Sequence, residues 1–236
     1  MTSSTSSPAP GSVPQRPADR RRPVKPHDSA SMLVLRNGPR GLEVLMGRRG
    51  RKAVFNDVWV FAGGKVDQAD RIASPGTDLD PAVARHISSD PSRARLFAMA
   101  AVRETWEETG LALGTRGSPG VTGSDSWESF GSLGLAPDLA KLGYVGHAIT
   151  PASLAVRFNA RFFCVWAHDL QGELAGSGEL ADLDFFPVRK ARDLPLVDVT
   201  LFMLEEMLRR EASGFATPTV YPFFGYRKNR TYQRYR

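Results

Sequence analysis

Cysteine is almost absent: Cys164 is the one example among 236 residues. That excludes an intramolecular disulfide and any zinc site built on cysteines, and it makes a reducing cytoplasm the expected setting. Cys164 itself lies in an apolar, strand-like run and reads as a small buried hydrophobe. Long apolar runs are missing too. None reaches the roughly 18 residues of a membrane span, and the N-terminus lacks the charged-then-apolar order of a secretory signal. Acids are scarce at both ends. Residues 1–28 hold five Lys/Arg against two Asp, and residues 227–236 hold five Lys/Arg and no acid. The net charge of +6 therefore belongs to the ends, and the body between them carries −2. A body-wide footprint for nucleic acid is not supported and no specific nucleic-acid partner is expected, while the basic tails could add nonspecific attraction to polyanions.

With 42% hydrophobic and 24% charged residues, the chain can build one good core. Residues 1–29 are rich in Ser, Pro and Arg without apolar periodicity and read as a disordered basic tail. A folded domain is expected over 30–215, and residues 216–236 read as a basic, aromatic C-terminal tail. "SMLVLRN" and "LEVLMGRR" around the turn "NGPRG" predict a hairpin. "DVWVFAGG" is a third apolar run that stops at a double glycine. Asp80-Pro81 and Asp90-Pro91 each place a capping Asp before a Pro at the first helical position. The second of these helices runs to Gly110, a C-terminal stop. Two more strands, "YVGHAIT" and "VRFNARFFCVWA", and a helix over 197–212 complete a mixed α/β pattern with helices on both faces of a sheet.

"AAVRETWEETGLAL", residues 100–113, concentrates charge in an otherwise apolar helix. Arg103, Glu104, Glu107 and Glu108 share one helix face, because positions three and four apart are neighbours. Three carboxylates so close repel unless a positive charge sits among them. Carboxylate oxygens suit a hard divalent cation, Mg²⁺ or Mn²⁺.

Together with "FAGGKVDQAD" upstream, this helix resembles the signature of the Nudix hydrolase superfamily, G-x5-E-x7-R-E-U-x-E-E-x-G-U with U aliphatic. Arg103-Glu104-Thr105-Trp106-Glu107-Glu108-Thr109-Gly110-Leu111 matches its second half, with Thr105 the one soft position. Gly64 and, after five intervening residues, Asp70 match the first half, with Asp where the family has Glu. Between Asp70 and Arg103 stand 32 residues instead of seven, an insertion of 25 over 71–95. A box split at this point, followed by "RFNARFF" after a Thr-Pro turn, looks like the branch of coenzyme A diphosphatases of the peroxisomal type and their bacterial relatives.

The resemblance implies an α/β/α sandwich with a mixed sheet between helices, and metal-dependent hydrolysis of a nucleoside diphosphate linked to another moiety. Coenzyme A or an acyl derivative is the substrate the branch implies. It also implies that Glu104, Glu107, Glu108, the Gly64 carbonyl and Glu179 on a late loop hold the metal, and that Arg103 orients a glutamate by salt bridge and reaches Asp70. Lys65, Arg48, Arg49 and Arg51 are candidate phosphate contacts. Arg157 and Arg161, four apart on one strand and so on one face, are candidates for substrate binding. Trp59 and Trp106 are expected in the core, and the insertion is expected to lie over the site as a flap. A noncatalytic nucleotide-binding or regulatory module is the alternative; the sequence leaves the oligomeric state open, a homodimer included.

Overall fold

The computed structural model describes residues 24–50, 57–227 and 230–235. Residues 1–23 of the basic tail, and Arg51 among the phosphate candidates, lie outside the described residues. The strands are β1 (His27–Gly38), β2 (Gly41–Arg49), β3 (Trp59–Val60), β4 (Ala62–Lys65), β5 (Gly114–Arg116), β6 (Leu135–Pro137), β7 (Gly143–Ile149), β8 (Phe158–Trp166), β9 (Leu180–Pro187), β10 (Pro222–Arg227) and β11 (Arg230–Tyr235). The helices are α1 (Ala69–Ile72), α2 (Pro81–Ile87), α3 (Pro91–Thr109), α4 (Asp125–Gly131), α5 (Val188–Ala191) and α6 (Asp198–Ala212).

Among the described residues one mixed sheet runs β11-β10-β7-β8-β1-β2-β3, with β4 also on β1 and β9 on β2. The pairs β1–β8 and β10–β7 are parallel and the rest antiparallel. Alternation along β1 divides the core. Ala30, Met32 and Val34 face α3, while Leu33 and Leu35 face α6. The expected sandwich of helices around a mixed sheet is what forms. Among the described residues no helix is long and apolar enough to cross a membrane.

Helix α3 begins as its sequence predicts. Asp90 accepts the Ser92 N–H at 2.9 Å, Pro91 opens the first turn, and Gly110 ends the helix at φ +72°. Its middle is alanine-rich because it is covered all round, by the sheet on one side and by the insertion and α4 on the other.

Three expectations are corrected here. The N-terminal segment joins the sheet from His27, within the expected 1–29 tail, because β1 pairs in parallel with β8 from that residue on. The C-terminal segment is a β-hairpin extending the sheet beyond β7, with Phe224 buried in the core. The insertion does not cover a cleft. Ala73, Leu79, Ile87 and Ala94 draw it into the core on the α3 side, and Ser74 and Gly76 donate to the carbonyls of Pro119 and Pro137.

Candidate functional site

Three consecutive residues of β4 engage three residues of α3. The Gly63 N–H donates to Glu108 Oε2 at 2.7 Å, Gly64 lies against the Glu104 carboxylate, and the Lys65 carbonyl accepts Arg103 Nη2 at 2.8 Å. Both glycines are required by this close approach. A Cβ on Gly63 would stand 2.6 Å from Ser31 Cα and overlap the Ala30 carbonyl, and one on Gly64 would stand 2.6 Å from Glu104 Oε2.

Arg103 organises the acids. Its Nε and Nη2 donate to the two oxygens of Asp70 at 2.7 and 3.0 Å, and its Nη1 donates to Glu104 at 3.0 Å and Glu107 at 3.1 Å. Burial alone would lower its pKa, but Asp70, Glu104 and Glu107 outweigh that and hold it above the ordinary range. Asp70 is only 2% exposed and also accepts from Trp127 Nε1 at 3.1 Å and from the Asp67 N–H at 2.8 Å. The shorter acid therefore still reaches Arg103, and this is how the chain on either side of the insertion is tied together.

Three acids, Asp70, Glu104 and Glu107, surround this one guanidinium, and Glu108 lies beside Glu104. Burial, followed by the charges of Glu107 and Asp70 against the opposing pull of Arg103, pushes Glu104 up to about 7. Glu108 is pushed up to about 8, by burial first and then by Glu104 and Glu179, against the Gly63 N–H and Arg49. Glu104 Oε2 and Glu108 Oε1 accept no hydrogen bond from the described residues, although both residues are buried. Buried carboxylate oxygens left without donors are costly unless a cation meets them. An all-oxygen set of this kind fits a hard divalent ion. Among the described residues no three such groups already stand in a metal-holding arrangement; Arg103 occupies the space between Glu104 and Glu107.

Beside the diglycine opens a cleft of about 470 Å³ between the sheet and the start of α6. Arg49, Gly63 and Gly64 form its edge near the acids, and Phe61, Phe158, Phe162, Phe224 and Tyr226 supply aromatic wall. Ser29, Ser31, Thr150 and Asp198 are its polar points.

The other sequence candidates separate. Arg49 reaches the site and donates to the Gly63 carbonyl at 3.3 Å. Glu179, on an exposed loop, is near enough for its charge to act on Glu108. Lys65 is exposed and points away from the cleft into a second cavity. Arg48 turns outward to Asp182 and Asp57. Arg157 ties the β7–β8 connection by donating to the carbonyls of Thr150 and Val24. Arg161 is 7% exposed on the α3 side, donating to Ile87 O and Asn159 Oδ1 over the Phe97 ring. Neither Arg157 nor Arg161 lines the cleft. Trp59 and Trp106 pack at the margins of the core. The cleft aromatics of the C-terminal hairpin were missed, although the alternation Phe224, Tyr226 was a strand signal.

No protein-family model matches the chain, and no curated protein does. Solved structures do match. A NUDIX hydrolase from Alicyclobacillus acidocaldarius is 27% identical over 77% of this chain and 90% of its own, with a TM-score of 0.59. A MutT protein from Bacillus halodurans is 14% identical over 89% of this chain and 97% of its own, with a TM-score of 0.49. A MutT NUDIX hydrolase from Burkholderia pseudomallei is 20% identical over 78% and 98%, with a TM-score of 0.45.

Proposed function

We propose that this chain is a Nudix hydrolase, a reading supported by its likeness to the Alicyclobacillus acidocaldarius structure, and that it hydrolyses the diphosphate bond of a nucleoside diphosphate linked to another moiety. The observation that carries this reading is the clamp between β4 and α3. It holds Glu104 and Glu108 buried, each with an oxygen lacking a donor, at the edge of an aromatic cleft.

Glu104, Glu107 and Glu108, with the Gly64 carbonyl and Glu179, are the residues that would hold Mg²⁺ or Mn²⁺. The ion would neutralise phosphate charge and make bound water more acidic. The chain's own residues do the rest. Arg103, locked by Asp70, fixes where Glu104 and Glu107 point. Arg49 brings positive charge to the cleft edge beside Gly63. Water adds its oxygen to one phosphorus, the bridging P–O bond breaks, and the proton passes to a carboxylate. The aromatic walls suit a base or an apolar arm, and the split box favours coenzyme A or an acyl-CoA as substrate. One half-buried thiol and a small-molecule substrate suit a cytoplasmic enzyme.

The test is product release from a panel of nucleoside diphosphate derivatives, coenzyme A included, with Mg²⁺ or Mn²⁺, for wild type and Glu107→Gln. Turnover by wild type and a loss of about 100-fold or more in the variant are expected. Tight nucleotide binding without turnover of any member would instead identify a noncatalytic module.

A further inference from the structure

On the other side of the β1–β4 pair lies a second cavity, of about 660 Å³, whose chemistry the hydrolytic site does not use. Lys25, Lys65, Arg71 and Arg93 line it together with Asp28 and Asn159. Asp28 is the one acid among these lining residues, and it is already engaged. It accepts two bonds of 3.0 Å from Arg93 and one of 2.6 Å from Asn159 Nδ2, a side chain on a residue only 8% exposed. Lys25, Lys65 and Arg71 have no ion pair with any described residue. Of the acids nearby, Asp70 is bound by Arg103, and Asp67 accepts the Ala69 N–H at 2.8 Å. Four cations thus converge on one concave surface with a single, neutralised carboxylate among them.

The insertion builds this concentration. Arg71 is its first residue and Arg93 lies near its end, so the two ends of the extra segment deliver guanidinium groups to the same cavity that Lys65 enters from β4. Like charges held together without counterions repel, and a multivalent anion relieves that repulsion. Arginine forks and lysine points fit phosphoryl oxygens. The volume exceeds one phosphoryl group and leaves room for a larger molecule that carries it.

We propose that this cavity is a phosphoryl-binding subsite, assembled by the two ends of the insertion and separate from the diphosphate-cleaving centre. The phosphoryl group belongs either to a remote part of the substrate or to a separate effector; the chemistry is shared and the experiment divides the sources.

The binding arm uses the full chain in EDTA, which silences the acidic centre, and titrates inorganic pyrophosphate by calorimetry at low salt. Saturable binding by wild type, weakened tenfold or more in Lys25→Gln/Arg71→Gln, is expected. Both positions are exposed, so the variant should keep the wild-type melting temperature. Equal affinity in the two proteins, or no saturable binding, overturns the proposal. The kinetic arm rests on the hydrolase reading and compares diphosphate substrates with and without an additional phosphate. A rise in KM confined to the phosphorylated ones places the group on the substrate. Unchanged KM for both, with pyrophosphate binding still lost, places it on an effector. Absence of all turnover would sink the hydrolase reading and leave the binding result standing.

Discussion

Replacing Gly64 by alanine puts a methyl group where the Glu104 carboxylate lies. The new Cβ would stand 2.6 Å from Glu104 Oε2, whereas ordinary contact needs roughly 3.5 Å. Glu104 must retreat by about 1 Å, and the 3.0 Å bond from Arg103 Nη1 must stretch or break. Because the obstacle is the end of a flexible side chain, the fold can adjust by a rotamer change. Gly63 offers the contrast: its added Cβ meets the backbone of Ala30 and Ser31, which cannot swing aside. A displacement of about 1 Å in a positioning group can cost on the order of 100-fold in rate. Gly64→Ala is therefore expected to lower kcat/KM about 100-fold with a melting temperature within a few degrees of wild type, while Gly63→Ala loses several kcal/mol of stability. Steady-state kinetics and thermal unfolding of the two variants read this out. Full activity in Gly64→Ala, or equal destabilisation by both, would refute the argument that this glycine serves the carboxylate rather than the backbone.

Arg103→Met strands Asp70 as a buried charge and should cost about 3–5 kcal/mol, measured as a drop in the urea midpoint. Without divalent metal, Glu104 and Glu108 keep protons in the folded protein up to about 7 and 8, whereas the unfolded carboxyls release them near 4.5. The unfolded chain then binds fewer protons across that window, so stability falls as pH rises from about 4.5 to 8. At about 1.4 kcal/mol per pKa unit the loss amounts to several kcal/mol. Melting temperatures in EDTA should decline over this range, and added Mg²⁺ should restore more at pH 8 than at pH 6; a flat profile in EDTA would contradict the burial argument. Tyr226→Ala, which removes an aromatic wall of the cleft, should raise KM roughly tenfold, the worth of about one stacking contact, with little change in kcat.

The most legible part of this protein was the part written in short-range spacing. The capped start of α3, its glycine stop and the Arg-Glu-Glu-Glu face follow from local rules, and they fell where expected. The partnership of Arg103 with Asp70 was readable through the resemblance, despite the insertion, and the shorter acid is accommodated because Trp127 and the Asp67 amide complete its hydrogen bonds. What failed depended on contacts between distant segments. Arg161 has a strand neighbour's spacing to Arg157, but whether that face meets the cleft or the insertion is set by packing of Ile87 over it, which no local pattern encodes. Nothing local in the insertion marks it as flap or core; a few apolar residues, Leu79 and Ile87 among them, are enough to pull it into the core. The basic charge of the last residues masked a strand alternation, and so the hairpin was read as a tail.

That hairpin makes the cleft depend on the far end of the chain. The segment holding Phe224 and Tyr226 joins the sheet beside β7, whereas the acids reside on a helix completed more than a hundred positions earlier. Proteolytic trimming after Tyr221 would accordingly yield a species that retains its cation-attracting carboxylates while having lost two of the surfaces against which an organic ligand can rest.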